Sequence, residues 1–347
     1  MRALVFTDLQ ADEGSDRLRS DAGVPLQRWR VTHFYAQVKQ LMQEYGCNQV
    51  WDLGDSTHDR NAIALPTLQA VSAGTRAITA GTDWLRNFRL VGNHEQFVKS
   101  TEVHGADIAQ PYFRVASNNQ LIHLREESLV FLLVPYPKDG VEAETEAWIK
   151  RSCLRAKSWG CKVILLGHFQ CKGAMQRSGL SIKGIDIACA VQADIALLGH
   201  VHKHQRLAEK AWYIGSPFQQ NFGESGEGKC VAIVDTDEMS VEFVPTTGFP
   251  AYRVISLADL AHNGITGEDR LRVELKNVAD VERYYAMPES KHCEPVFLFE
   301  QQQAADRRES STDPVDCLRK HVDLNPLNNY GISPDEVLKF GRDLARI

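Results

Sequence analysis

The chain has eight cysteines (Cys47, Cys153, Cys161, Cys171, Cys189, Cys230, Cys293 and Cys317) but no Cys-x-x-Cys pair. Several lie inside helical or strand patterns, so they read as reduced core thiols rather than disulfides or metal ligands. No apolar run approaches the roughly 18 residues a membrane helix needs. The N-terminus enters a strand directly, without a charged-then-apolar leader, and predicts a cytoplasmic protein with no membrane contact. Basic residues are not in excess: Lys and Arg number 39 against 45 Asp and Glu, a net charge of −6. That balance excludes a protein holding DNA by a broadly basic surface, so any nucleic-acid chemistry would need metals or a partner to supply positive charge. No internal repeat is present. What remains is an ordinary globular composition, 43% hydrophobic over 347 residues, long enough for one large core plus a smaller domain.

Against that background one pattern recurs. Leu197-Leu198-Gly199-His200-Val201-His202 runs from apolar residues into a glycine and two histidines. It reads as a buried strand ending in a tight turn that can converge both imidazoles on one point. Four further stretches share the build: Ala3–Gln10, Val50–Asp55, Phe88–Glu95 and Val163–His168. Between the first three, apolar residues at helical spacing predict helices over 26–45, closed by Gly46, and over 66–80, closed by Gly81. The first 92 residues therefore read β-α-β-α-β, the signature of a mostly parallel, helix-covered sheet with ligands beyond the carboxyl ends of its strands. Each polar turn lies at such an end.

Further along, residues 120–123 and 128–134 predict a strand pair, 142–159 an amphipathic helix and 162–166 a strand. Residues 170–184 read as loop, 185–191 as a short helix and 194–198 as a strand. Short β segments follow at 211–214, 230–234 and 240–244, and this late run predicts a second sheet packed on the first. The chain changes character at Thr246-Thr247-Gly248-Phe249-Pro250, which places a domain boundary near residue 250. Beyond it, 253–256, 271–275 and 295–299 read as strands and 278–285, 315–324 and 333–347 as helices, with 301–314 a polar linker or insertion. Ser333 and Glu336 form a capping box for the last helix, whose apolar positions fit docking on its own domain or anchoring a partner. The expected fold class is α/β: a four-layer α-β-β-α core over 1–249 with a small α+β capping, partner-contact domain over 250–347.

The chemistry lies in the turns, which offer Asp8, Gln10, Asp55, His58, Asn93, His94, His168, His200 and His202. A carboxylate can bridge two divalent cations, and Asp55 after Gly54 is placed to do so, because glycine lets backbones approach closely. Mixed imidazole and carboxylate donors suit Zn, Fe and Mn. Two ions about 3.5–4 Å apart can hold a hydroxide and the transferring oxygens of a phosphoryl centre in line. An imidazole that is not a ligand can protonate the leaving oxygen.

The order Asp…Gly-Asp…Gly-Asn-His-Glu…Gly-His…Gly-His-Val-His resembles the calcineurin-like metallophosphoesterase superfamily. More narrowly, Tyr213-Ile214-Gly215-Ser216-Pro217-Phe218, continuing through Glu224 and Gly228-Lys229 to the strand 230–235, is similar to the segment after the last metal motif in the SbcD family. These are nuclease subunits of the SbcCD complex and their phage counterparts. The likeness covers about residues 1–250. It implies that Asp8 and His202 bind a first metal, that Asp55 bridges, and that Asn93, His168 and His200 bind a second. His94 would be the acid beside the scissile phosphate, with His58 near the substrate. It further implies two divalent ions, Mn²⁺ foremost with Mg²⁺ as the alternative, and 3′–5′ exonuclease and single-strand or hairpin endonuclease activity on DNA. The implied partners are an SbcC-like coiled-coil ATPase and a second copy of the chain, in a bacterial or phage-infected cell, with 61–80 and 97–109 as candidate dimer segments.

One residue departs from the pattern. The first motif is normally Asp-x-His, and here it is Asp8-Leu9-Gln10. A glutamine carbonyl is a neutral, harder donor than imidazole, which predicts a weaker first site leaning to Mn²⁺ or Mg²⁺ over Zn²⁺. Three functions follow as expectations: a DNA repair or recombination nuclease subunit, a stand-alone phosphodiesterase or phosphatase on a small substrate, and a catalytically weakened scaffold for the ATPase. The protein-phosphatase variant fits poorly, because Asp59-Arg60 falls one residue late after Asp55.

Overall fold

The computed structural model describes residues 1–12, 26–60, 62–97, 104–106, 112–175, 184–263 and 269–298. The chain opens with β1 (Arg2–Phe6), α1 (Leu26–Glu44), β2 (Gln49–Asp52), α2 (Leu65–Thr79), β3 (Phe88–Leu90) and β4 (Arg114–Ala116). There follow β5 (Gln120–Leu124), β6 (Leu129–Val134), α3 (Glu142–Ser158), β7 (Lys162–His168), β8 (Cys171–Lys172), β9 (Ile185–Asp186) and α4 (Ile187–Ala190). Then come β10 (Ile195–Gly199), β11 (Gln205–Ala208), β12 (Ala211–Tyr213), β13 (Cys230–Asp235) and β14 (Ser240–Pro245). The last described elements are β15 (Tyr252–Ser256), α5 (Leu257–Asn263), β16 (Arg270–Leu275), α6 (Val278–Ala286) and β17 (Cys293–Phe297).

Two six-stranded sheets dominate, ordered β14-β13-β1-β2-β3-β4 and β11-β12-β10-β7-β6-β5. The period-2 alternation of strand side chains explains why their central strands are apolar throughout. In β7, Val163 and Leu165 face the α3 side, while Ile164 and Leu166 face the other sheet. In β1, Leu4 and Phe6 pack with Val31, Phe34, Val38 and Met42 of α1, while Ala3 and Val5 join the core between the sheets. Three apolar layers thus separate helix, sheet, sheet and helix. This α-β-β-α architecture is the expected one.

Trp51, fully buried between the sheets, stacks on Phe88 at 6.2 Å and meets Phe131 edge-on at 5.0 Å. Trp51→Ala removes the largest fully buried side chain of that central layer. It is expected to cost about 3–5 kcal/mol, read as a lowered midpoint in chemical denaturation.

The late strands do not act as one group. β12 pairs parallel with β10 in the second sheet, whereas β13 pairs antiparallel with β1 and carries β14 with it to the edge of the first. The short helix expected over 185–191 is also corrected. Its first two residues pair with β8, because Ile185 N–H donates to Gln170 O, and the helix starts only after Asp186 caps Ala188 N–H.

The chain divides into two compact units, residues 1–273 with 289–294, and residues 274–288 with 295–347. In the second, α6 begins at Asn277, whose side-chain oxygen accepts from Asp280 N–H. The helices expected over 315–324 and 333–347, the linker over 301–314 and Cys317 lie outside the described residues. Every described cysteine is free. Among the described residues, no helix is long and apolar enough to cross a membrane.

Candidate metal centre

The five polar turns meet because strand pairing continues beyond the strand ends. Past the parallel β1–β2 pair, Asp8 N–H donates to Gly54 O, Gln10 N–H to Asp55 O and Ala11 N–H to Ser56 O, each at 2.9 Å. The first two turns therefore run side by side, with Asp8 and Gln10 against Asp55. In the second sheet, β7 and β10 pair in parallel with Gly199 opposite His168, which sets His168 beside His200. His168 Nδ1 donates to Leu53 O at 2.7 Å and His200 N–H to Asp8 Oδ2 at 2.9 Å, tying the two sheets together at the site.

Close approach fixes the glycines. Gly54 has φ +105°, and a Cβ there would lie 2.9 Å from Gly92 N. A Cβ on Gly92 would overlap the Asp55 carboxylate. The chain also tolerates strain here. Asp8, Gln10, Asp55 and His200 all have positive φ, between 50° and 91°, a left-handed conformation that costs non-glycine residues about 1–3 kcal/mol each.

All nine predicted residues fall into one connected network. Asp55, His168 and His200 present donor atoms within 4.8 Å of one another. Asn93 Oδ1 lies 2.7 Å from His200 Nδ1. Asp55 Oδ1 accepts from His94 N–H at 2.8 Å, and Asp55 Oδ2 accepts from Gln10 Nε2 at 3.1 Å. Gln10 Oε1 is 2.8 Å from His58 Nδ1, and the His58 and His94 rings stack at 4.9 Å. His202 Nε2 is 3.8 Å from Asp8 Oδ1.

Proton positions follow from the partners. A carbonyl oxygen can only accept, so His168 and His94, each with Nδ1 against a carbonyl, carry a proton there. Burial alone would raise Asp55, but the neighbouring charge of His168, and after it that of His94, outweighs burial and holds the carboxyl low. At Asp8 burial wins over His168 and His202, and its pKa is raised. Burial and the neighbouring His168 charge push His200 down to about 3, keeping a neutral imidazole available as a donor.

The residues suit a cation. Asp8 Oδ1 and His168 Nε2 are buried without a hydrogen-bond partner among the described residues. His168 Nε2 lies 3.3 Å from Asp55 Oδ2 but outside hydrogen-bond geometry. Leaving such atoms unsatisfied costs about 1–3 kcal/mol each, a cost that coordination would offset. Carboxylates, imidazoles and an amide oxygen together form a borderline-hard donor set appropriate to Mn, Fe or Zn.

Several residues outside the nine predicted ones also shape the site. Glu95 accepts from Gly92, Asp55 and Ser56 N–H, clamping two turns together, and burial pushes its carboxyl up. Asp52 accepts from Gly54 N–H and Ser56 Oγ and pairs with Arg89 at 2.7 Å, both side chains fully buried. The signal for this pair is present in the sequence: opposite charges interrupt two neighbouring apolar strands at matching positions. Tyr136 packs on the rings of His200 and His168 at 5.2 and 6.2 Å. It also lines a cavity of ≈310 Å³ with Val91, Gln96, Asn118, Asn119 and Lys138.

No family model and no curated protein matches the chain. Solved structures do. A dimetal phosphatase from Danio rerio is 10% identical over 71% of this chain and 96% of that one, with a TM-score of 0.43. Calcineurin-like phosphoesterase YfkN from Bacillus subtilis is 15% identical over 71% and 88%, with a TM-score of 0.36. An archaeal phosphodiesterase is 11% identical over 71% and 99%, with a TM-score of 0.33. At such identities residue roles in those proteins do not transfer to this chain.

Proposed function

We propose that the protein is a metal-dependent phosphodiesterase, and that its substrate is DNA. The observation that carries the hydrolase reading is the convergence of five strand-end turns on Asp55, with Asp8 Oδ1 and His168 Nε2 buried and unpartnered beside it. Asp8, Asp55 and His202, with Gln10 as a weak donor, would hold one cation. Asp55, Asn93, His168 and His200 would hold the other. When bound, divalent ions supply a nucleophilic hydroxide at neutral pH and neutralise charge on the phosphoryl oxygens. His94, anchored through Nδ1 to His58 O at 2.8 Å, would as the imidazolium give its Nε2 proton to the leaving oxygen and keep the proton on Nδ1. Mn²⁺ is the proposed metal, with Mg²⁺ as substitute.

Within this reading the chain is the nuclease subunit of a repair or recombination complex. It acts as a 3′–5′ exonuclease and single-strand or hairpin endonuclease, as a homodimer with an SbcC-like ATPase reached through residues 250–347. The motif order and the 213–235 segment support it, and the net charge of −6 agrees with a partner supplying much of the grip on DNA. Mn²⁺-dependent release of nucleotides from linear duplex, with closed circular duplex spared, is the expected result. Hydrolysis of small phosphodiesters without any action on DNA would overturn the DNA reading. The ≈310 Å³ cavity at Tyr136 favours that second reading, a stand-alone phosphodiesterase, since its volume suits a small organic group.

Gln10 is the residue to test within the first site. Its amide engages Asp55 Oδ2, the oxygen a bridging carboxylate needs, and its carbonyl faces His58. Gln10→His should tighten binding of the weaker ion about tenfold, near 1.4 kcal/mol, and shift preference toward Zn²⁺. Calorimetric titration with each metal checks this, and unchanged affinity and preference would count against it.

A further inference from the structure

The segment 213–235 resembles a family pattern in which none of its residues has a role above, and its contacts give it one. After β12 it wraps under the first-site residues. Gln220 Nε2 donates to Asp8 O at 2.7 Å. Glu224, on a short 3-10 turn and only 3% exposed, reaches His202 Nδ1 through Oε1 at 3.0 Å. That carboxylate is itself held from every side. Asn221 Nδ2 donates to Oε1, and Gln220 N–H and Ser216 Oγ donate to Oε2. Lys229 Nζ lies 2.8 Å from Oε2. Lys229 is also buried, and it donates to His202 O, Ser216 Oγ and Glu227 Oε2 as well.

Such an arrangement is more than packing. A buried lysine and a buried glutamate cost desolvation unless each is fully paired, and here both are. Their shared target is one ring nitrogen and one carbonyl of a single histidine. A carboxylate at Nδ1 fixes the proton there and leaves the Nε2 lone pair facing Asp8 Oδ1, the buried oxygen without a partner. A histidine that binds metal through one nitrogen generally donates its other N–H to such a group, which sets its tautomer, its orientation and its basicity.

We propose that Glu224 is a positioning residue for His202. Locked by Lys229, Ser216 and the 220–221 turn, it aims the His202 Nε2 lone pair at a cation shared with Asp8, and so sets affinity at the first site. The proposal rests on the two-cation reading above. It also gives the first site a compensation for Gln10, because a histidine held in place offsets part of what a weaker neighbouring donor loses.

The test titrates Mn²⁺ calorimetrically into the full, metal-stripped chain, as wild type, Glu224→Gln and Glu227→Gln, with ring-nitrogen shifts of His202 recorded without metal. Wild type should show the neutral His202 ring protonated at Nδ1. Glu224→Gln should weaken one of two binding events about 10–100-fold and leave the other unchanged. Glu227→Gln removes a carboxylate from the same lysine without touching His202, and should leave both events unchanged. A wild-type ring protonated at Nε2 overturns the proposal even if Glu224→Gln does not fold. Two unaltered events in Glu224→Gln overturn it alone, as does equal weakening of both events in the two variants, which marks a general structural effect. Failure of the wild type to bind Mn²⁺ at all sinks the hydrolase reading and this proposal with it.

Discussion

Asp52→Asn is expected to destabilise the fold by about 3–5 kcal/mol, the range for breaking a buried ion pair and leaving the other charge uncompensated. Arg89 is fully buried; burial opposes its charge, and Asp52 and Glu95 together restore it, so its pKa lies above the ordinary value. Without Asp52 the guanidinium is left, among the described residues, with the charge of Glu95 and the Phe113 ring at 5.5 Å. For a domain of this size the thermal midpoint should fall by roughly 6–20 °C. The double variant Asp52→Asn with Arg89→Met should recover much of the loss, since removing both charges is far less costly than removing one. The site should suffer as well, because the same carboxylate holds Gly54 N–H and Ser56 Oγ on either side of Asp55. Denaturation of the single and double variants checks this. Additive losses would show that the pair is not coupled.

On the proposed two-cation reading, Asp55→Asn should abolish hydrolysis, by at least about a thousandfold, or some 4 kcal/mol of transition-state stabilisation. An amide offers one acceptor oxygen where a bridge needs two, and it carries no charge to set against two cations. The packing around it is otherwise preserved, since His94 N–H retains an acceptor. The variant should therefore fold, and it should lack the rise in thermal midpoint expected of the wild type in saturating Mn²⁺. At a hundred times the dissociation constant that rise corresponds to about 2.7 kcal/mol. Persistence of the Mn²⁺ effect in Asp55→Asn would remove this carboxylate from the centre of the site.

Much of this geometry was legible in the residues. A buried parallel strand must be apolar on both faces, so polar residues appear abruptly where β1, β2, β3, β7 and β10 end, and that contrast marks Asp8, Asp55, Asn93, His168 and His200. Helices α1 to α3 were equally plain, because one apolar stripe over four or five turns has no other solution. Other features had no such signature. β4 and β11 are three and four residues long, and Arg114-Val115-Ala116 and Gln205-Arg206-Leu207-Ala208 show too little alternation to announce a strand. The sheet that β13 and β14 join is decided by pairing with β1 more than two hundred residues away, which local pattern cannot encode. The left-handed φ at Asp8, Gln10, Asp55 and His200 is imposed by neighbouring turns, since none of these is the glycine such a conformation prefers. Glu95 and Glu224 act through backbone amides and a histidine ring, so their roles appear only once the chain is folded.

The most direct measurement is anomalous diffraction at the manganese edge from crystals of the wild-type chain soaked in Mn²⁺. Two peaks astride the Asp55 carboxylate are expected, one reached by Asp8 and His202 and the other by Asn93, His168 and His200. A single peak, or none within reach of Asp55, would contradict a two-cation centre and the phosphodiester hydrolysis drawn from it.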